Sequence, residues 1–191
     1  MNEKGIIKFR CSWVNADPLP YEAVADLNRW RCILYNKGLV GVDCNGVGFG
    51  NLSKRYLHNQ FVITGSGTGQ LTELTTMHYT LVTDFSIGRN WVEAKGPVIA
   101  SSESLTHAAI YLADPDTNAV VHIHNIELWN QLIYKVPTTN PSMDYGTTGL
   151  AKDIFRLFND SDVFEKRIIV MAGDRSGILT FGHDMDEAVN V

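Results

Sequence analysis

The chain has 191 residues, 45% hydrophobic and 19% charged, with 16 Lys and Arg against 21 Asp and Glu for a net charge of −5. This is an ordinary globular composition, at a length that suits one large domain better than two small ones. No run of eighteen apolar residues occurs, which excludes a helical membrane span, and the mild acidity argues against nucleic acid or an anionic membrane as partner.

Residues 1–20 read as a loose N-terminal arm, without a basic-then-apolar leader, ahead of a single domain over 21–191. The first helix is predicted from Tyr21 to Lys37, preceded by Pro18 and Pro20 and stopped by Gly38. Ala23, Leu27, Trp30 and Leu34 form its apolar face. A glycine-dense stretch follows, from Gly38 to Gly50, and must hold turns or close backbone approaches. Phe61–Thr64 is a buried strand running into Gly65-Ser66-Gly67-Thr68-Gly69, and Tyr79–Thr83 and Asn90–Ala94 are further strands. Ser101-Ser102-Glu103 opens a second helix with Leu105, Ala108, Ala109 and Leu112 on its buried face, and Pro115 stops it. Ala119–His124 is a strand, and Gly146–Asn159 is a helix with Leu150, Ile154, Leu157 and Phe158 on one side. Arg167–Met171 and Ile178–Phe181 make a hairpin across Asp174-Arg175-Ser176-Gly177, a composition suited to a type I turn. Helices and strands interleave, and the hairpin requires antiparallel pairing. The chain is therefore expected to be α/β, with a mixed, mainly antiparallel sheet covered by helices.

Chemistry concentrates in a few segments. In Val121-His122-Ile123-His124 the strand alternation sends both imidazoles to one face and Val121 and Ile123 to the other. Two imidazoles so placed can share one divalent cation, although they would serve equally as hydrogen-bonded histidines on a half-exposed strand. Ser101-Ser102-Glu103 gathers hydroxyls and helix-start amides that suit a phosphate or carboxylate, or simple helix capping. Glu103 beside a cation could take a substrate proton. Gly50-Asn51-Leu52-Ser53 and Thr64-Gly65-Ser66-Gly67 allow amides and side-chain donors to approach an anion, or are tight turns. Neither is a P-loop. His58, His78, His107 and His183 are isolated and read as structural or surface residues. Cys11, Cys32 and Cys44 are odd in number and form no C-x-x-C pair, which fits a reducing cytoplasm.

In their order along the chain these segments resemble the class II aldolase/adducin family. The resemblance is carried by Gly50-Asn51-Leu52-Ser53, Ile63-Thr64-Gly65-Ser66-Gly67, Ser101-Ser102-Glu103, His107, Ala109, Tyr111, Pro115 and Ala119-Val120-Val121-His122-Ile123-His124, and by the closing Gly177-Ile178, Gly182 and Glu187-Ala188. It implies a three-layer α/β/α sandwich, a homotetramer with sites between subunits, and a divalent metal, usually zinc, to which a carboxylate ligand would add manganese or iron. Two of the family's three metal-binding histidines match His122 and His124, and its acid/base glutamate matches Glu103. Its phosphate- or carboxylate-holding residues match Asn51, Ser66, Gly67, Ser101 and Ser102. Where the family has its third histidine, Gly173-Asp174-Arg175-Ser176-Gly177 supplies Asp174, a competent ligand of shorter reach. The segment from His124 to Gly146 is short, with Trp129, Tyr134 and Tyr145 as possible aromatic stand-ins, and the C-terminal helix of many relatives is absent.

What the resemblance implies is a metal-dependent lyase. It would cleave a C–C bond in a small phosphorylated or carboxylated hydroxy-carbonyl compound, with the cation stabilising an enediolate. A dehydratase or decarboxylase on the same site, or a non-catalytic adducin-like assembly module, is the alternative. An epimerase fits less well, since such enzymes carry Asp where this chain has Glu103.

Overall fold

A computed structural model describes residues 6–191. In chain order the elements are β1 (Arg10–Val14), α1 (Tyr21–Asn36), β2 (Gly41–Val42), β3 (Gly48–Phe49), β4 (Asn51–Arg55), β5 (Phe61–Thr64), β6 (Tyr79–Ser86), β7 (Trp91–Lys95), α2 (Ser104–Ala113), β8 (Ala119–His124), α3 (Ile126–Leu132), α4 (Thr148–Asp160), α5 (Val163–Lys166), β9 (Ile168–Val170), β10 (Gly177–Gly182) and α6 (Met185–Val189). Eight strands form one sheet in the order β1-β7-β6-β5-β4-β8-β10-β9, and β2 and β3 form a separate ribbon. β1 runs parallel to β7, and all other pairings in the large sheet are antiparallel. The expected α/β class and mixed, mainly antiparallel sheet are those adopted.

Strand alternation divides the apolar residues between two cores. Val120 of β8 joins Leu105 and Ile110 of α2 and Leu150 and Ile154 of α4. Its neighbours Ala119 and Val121 join Leu27 of α1 and Met185 of α6 on the other face. The sheet is thus the middle of three layers. Leu27, Ile110 and Ile154 are wholly buried, and truncating any of them to Ala costs roughly 2–5 kcal/mol.

The helices depart from the sequence reading in instructive ways. In α1 the buried stripe is Val24, Leu27, Arg31 and Leu34, so it is rotated slightly from the expected Ala23–Trp30 face. Trp30 lies partly out and donates its indole N–H to Asp186 at 2.8 Å. α2 starts at Ser104 rather than Ser101, and Ser104 to Tyr111 are all buried because the sheet and α4 enclose it, whereas Leu112 is exposed. α4 keeps the face read from the sequence, and the Thr147 hydroxyl caps it by accepting the Leu150 N–H at 3.3 Å. The arm is not loose throughout. Residues Arg10–Val14 extend the sheet as an edge strand, and Phe9 is buried in the α2/α4 core.

Behind the centre of the sheet lies a closed polar cluster. The Ser53 hydroxyl sits 2.7 Å from Nδ1 of His107 and 2.8 Å from the Tyr111 hydroxyl. Burial pushes the His107 imidazole down from 6.5 to about 3 and the Tyr111 phenol up. His107 is therefore the structural residue that its isolation suggested.

A histidine kept neutral by the fold binds its proton only after unfolding when the pH lies between its two values. The stabilisation from His107 is fully present above about pH 6.5 and is lost as pH falls toward about 3. Urea titrations between pH 7 and 4 should show stability dropping by up to about 1.4 kcal/mol per pH unit from this group. The His107→Gln variant should lose that component of the slope, and equal slopes would disprove the assignment.

Candidate active site

The site is assembled around the C-terminal end of β8. This strand is paired on both edges, with Asn51 of β4 opposite His122 and Gly177 of β10 opposite His124. Val121 and Ile123 turn into the α1/α6 core, so His122 and His124 share the opposite face, as strand alternation requires. The two imidazole centroids are 4.8 Å apart. Phe49 of the ribbon lies 5.3 Å from His124, and the Asn51 amide nitrogen is 3.5 Å from Nδ1 of His122. Gly50, at φ 74°, makes the turn from β3 into β4 possible, since a Cβ there would meet the Val40 side chain at 2.6 Å and the His122 carbonyl at 2.9 Å.

The turn before β10 carries Asp174 to the two histidines. Its Oδ2 lies 3.2 Å from Nε2 of His124 and 3.8 Å from Nε2 of His122, and both Asp174 and His122 are buried. Donor atoms of all three fall within 4.8 Å of one another. Ligands on a tetrahedral zinc ion stand roughly 3.4 Å apart, so a set of two imidazoles and one carboxylate at this spacing can hold a divalent ion. Gly177 keeps the space open. A Cβ on it would stand 3.1 Å from both Asp174 Oδ2 and His122 Nε2. The turn is closed by the Gly177 N–H donating to the Asp174 carbonyl at 2.8 Å. Ser176 has φ 80°, which belongs to the third position of a type II turn, so the expected type I turn is corrected.

Ser101, Ser102 and Glu103 form a turn ahead of α2. The Ser101 hydroxyl accepts the Glu103 N–H at 3.3 Å, and the Ser101 carbonyl accepts the Ser104 N–H at 3.0 Å. Two of the amides expected to face an anion are thus satisfied locally. An isolated bridge between Gly65 and Ala100 sets the Ser66 loop beside Ser101. Arg31, buried on α1, holds that loop from below by donating to the carbonyls of Thr68, Gly69 and Thr72 at 3.1–3.3 Å.

One cleft of about 160 Å³ is lined by Asn51, Ser66, Gly67, Ser101, Ser102, Glu103, His122, His124 and Asp174, so every site residue expected from the sequence meets there. Among the three aromatic stand-ins only Tyr145 lines it. The Tyr145 hydroxyl accepts the Ile6 N–H at 3.2 Å, and burial raises its phenol above the ordinary value. Trp129 donates its indole N–H to the Met171 carbonyl, and Tyr134 is exposed on the surface. The sequence reading missed Phe49, Thr68, Gly69 and the gap left by Gly177. Only the glycines carried a signal that could have marked them.

Residues 31–191 match the family described as the class II aldolase and adducin N-terminal domain. Solved structures share the fold. An L-fuculose 1-phosphate aldolase superposes with a TM-score of 0.68 at 20% identity, over 91% of this chain and 81% of its own. YgbL of Klebsiella pneumoniae, described by three alternative activities (aldolase, epimerase or decarboxylase), gives 0.66 at 19% over 88% and 82%. A sugar-phosphate aldolase of Thermotoga maritima gives 0.64 at 16% over 88% of each chain. No curated protein matches the sequence. Among the described residues, no helix is long and apolar enough to cross a membrane.

The Gly177→Ala variant should fold and yet bind zinc at least about tenfold more weakly than the wild type in competition with a chelating dye. Unchanged affinity would mean that the gap beside Asp174 is not needed.

Proposed function

The chain belongs to the class II aldolase and adducin family, and on that premise we propose that it is a metal-dependent carbon–carbon lyase. Its substrate would be a small phosphorylated or carboxylated hydroxy-carbonyl compound, cleaved and re-formed reversibly. The observation that carries this reading is the meeting of Glu103 with the His122, His124 and Asp174 group in a single cleft.

His122, His124 and Asp174 would hold the ion, zinc for preference, with manganese or iron admitted by the carboxylate. A bound divalent ion supplies Lewis-acid stabilisation of negative charge on the substrate oxygens. Glu103 would take the proton of the hydroxyl whose C–C bond breaks and return it to the carbon that gains the electron pair. Its near-complete burial in the cleft wall holds the carboxylate at that position. The side chains of Asn51, Ser66, Ser101 and Ser102, with the backbone at Gly67, would hold the phosphate or carboxylate end, so that binding the remote group orients the reacting one. Tyr145 supplies an aromatic wall from within the same chain. We place the protein in a reducing cytoplasm, as a homotetramer. A dehydratase or decarboxylase would use the same groups, and decarboxylase is among the activities by which YgbL, a protein of like fold, is described.

One observation favours a second reading, the adducin-like assembly module. It is the carboxylate of Asp174 where the resemblance implies a histidine. Metal analysis of the purified protein beside His122→Ala separates the two. A stoichiometric ion lost on substitution supports the lyase, and no ion in either protein, even after adding zinc or manganese, supports the module.

The Glu103→Gln variant should keep its metal but lose activity by a factor on the order of 100 or more. Activity here means α-proton exchange in deuterated water, followed by NMR on a panel of small phosphorylated and carboxylated hydroxy-ketones. A variant with full exchange would remove Glu103 from the acid/base role.

A further inference from the structure

The turn from Asp174 to Gly177 does more than deliver one carboxylate. Ser176 has φ 80°, in the left-handed region where glycine is relaxed and a residue with a Cβ is strained. A type II turn favours Gly at this position, with Asn the best tolerated of the other residues. What the serine adds is its hydroxyl, whose Oγ lies 3.0 Å from Nδ1 of His124. The other nitrogen of the same ring, Nε2, faces Asp174 Oδ2 at 3.2 Å. The Ser176 carbonyl also accepts the Asn125 N–H at 2.9 Å, which ties the turn to the residue following His124. Both nitrogens of one imidazole are therefore addressed from a single four-residue turn. On the companion ring, the Asn51 amide nitrogen stands 3.5 Å from Nδ1 of His122.

We propose that Ser176 is a positioning residue that fixes the tautomer and tilt of His124, so that Nε2 presents its lone pair to a divalent ion shared with His122 and Asp174. The hydroxyl oxygen accepts the Nδ1–H, and with the proton kept on Nδ1 the opposite nitrogen is the ligand. Backbone strain is retained at this turn because the relaxed residue, glycine, has no hydroxyl to offer. The inference rests on the metal-binding reading of the site. It adds a residue outside the ligand set, and it predicts that stability and metal affinity respond to this position in opposite ways.

Four proteins test it: the wild type and the variants Ser176→Gly, Ser176→Ala and Ser176→Thr, each stripped of metal. Two quantities are read, the melting temperature of the metal-free protein and the affinity for zinc by competition with a chelating dye. Ser176→Gly should melt about 2–4 °C higher because the strain is gone, yet bind zinc roughly 10–100-fold more weakly. Ser176→Ala should melt near the wild type and show the same loss of affinity. Ser176→Thr keeps the hydroxyl but adds a β-branch to a left-handed residue, so it should melt lower while binding within about threefold of the wild type. In the zinc-loaded wild type, nitrogen NMR should find the His124 proton on Nδ1. If the wild type binds zinc and the Gly and Ala variants match it within twofold, Ser176 has no positioning role although the metal site stands. If the wild type binds neither zinc nor manganese, the metal site and this inference fall together.

Discussion

The pairing of β8 on both edges is the constraint from which the rest of the structure follows. Its antiparallel registers, Asn51 against His122 and Gly177 against His124, are backbone facts enforced by two rows of hydrogen bonds. A slip of one residue in either would turn every side chain of the moving strand to the other face. It would carry Asn51 away from the imidazoles, or move the turn holding Asp174 out of reach. The two apolar cores prevent that slip, because Val120 and Val121 each belong to a different one. Hydrophobic alternation in the middle of the sheet thus fixes the position of polar groups at its end.

The parts legible in the sequence were those with a period or a punctuation mark. The alternation of Val121-His122-Ile123-His124 predicted the shared face, and α4 showed Leu150, Ile154, Leu157 and Phe158, four of its six buried residues, at helical spacing. Other elements left no such trace. β2 and β3 are two residues long, too short for any period to show. β1 is mostly exposed and carries no alternation, so an edge strand looked like an arm. The start of α2 was misjudged because serines cap helices and also close turns, and only tertiary contacts decide which. Asp174-Arg175-Ser176-Gly177 has the composition of a type I turn, and the left-handed Ser176 is invisible in composition. Arg31 is the instructive exception. A charged residue on an apolar stripe normally marks solvent, and here it marks three backbone carbonyls that needed a donor.

The neighbouring structures share the architecture at 16–20% identity while their names span aldolase, epimerase and decarboxylase chemistry. Such a spread is what a common scaffold with a variable cleft produces. In this chain the cleft carries a carboxylate at 174 and an aromatic wall from Tyr145, and a ribbon phenylalanine lies against His124.

The parallel edge strand and the late hairpin also set an order of assembly. β4, β5 and the serine turn precede β8 in the chain, but the second edge of β8 waits for β10, which comes only after α5 and β9. During synthesis the chain therefore holds both imidazoles, Asn51, Ser66 and the serine turn while the acidic member of the trio has yet to be made. Until β10 is made, β8 presents an open edge and the cleft lacks the wall that carries Asp174.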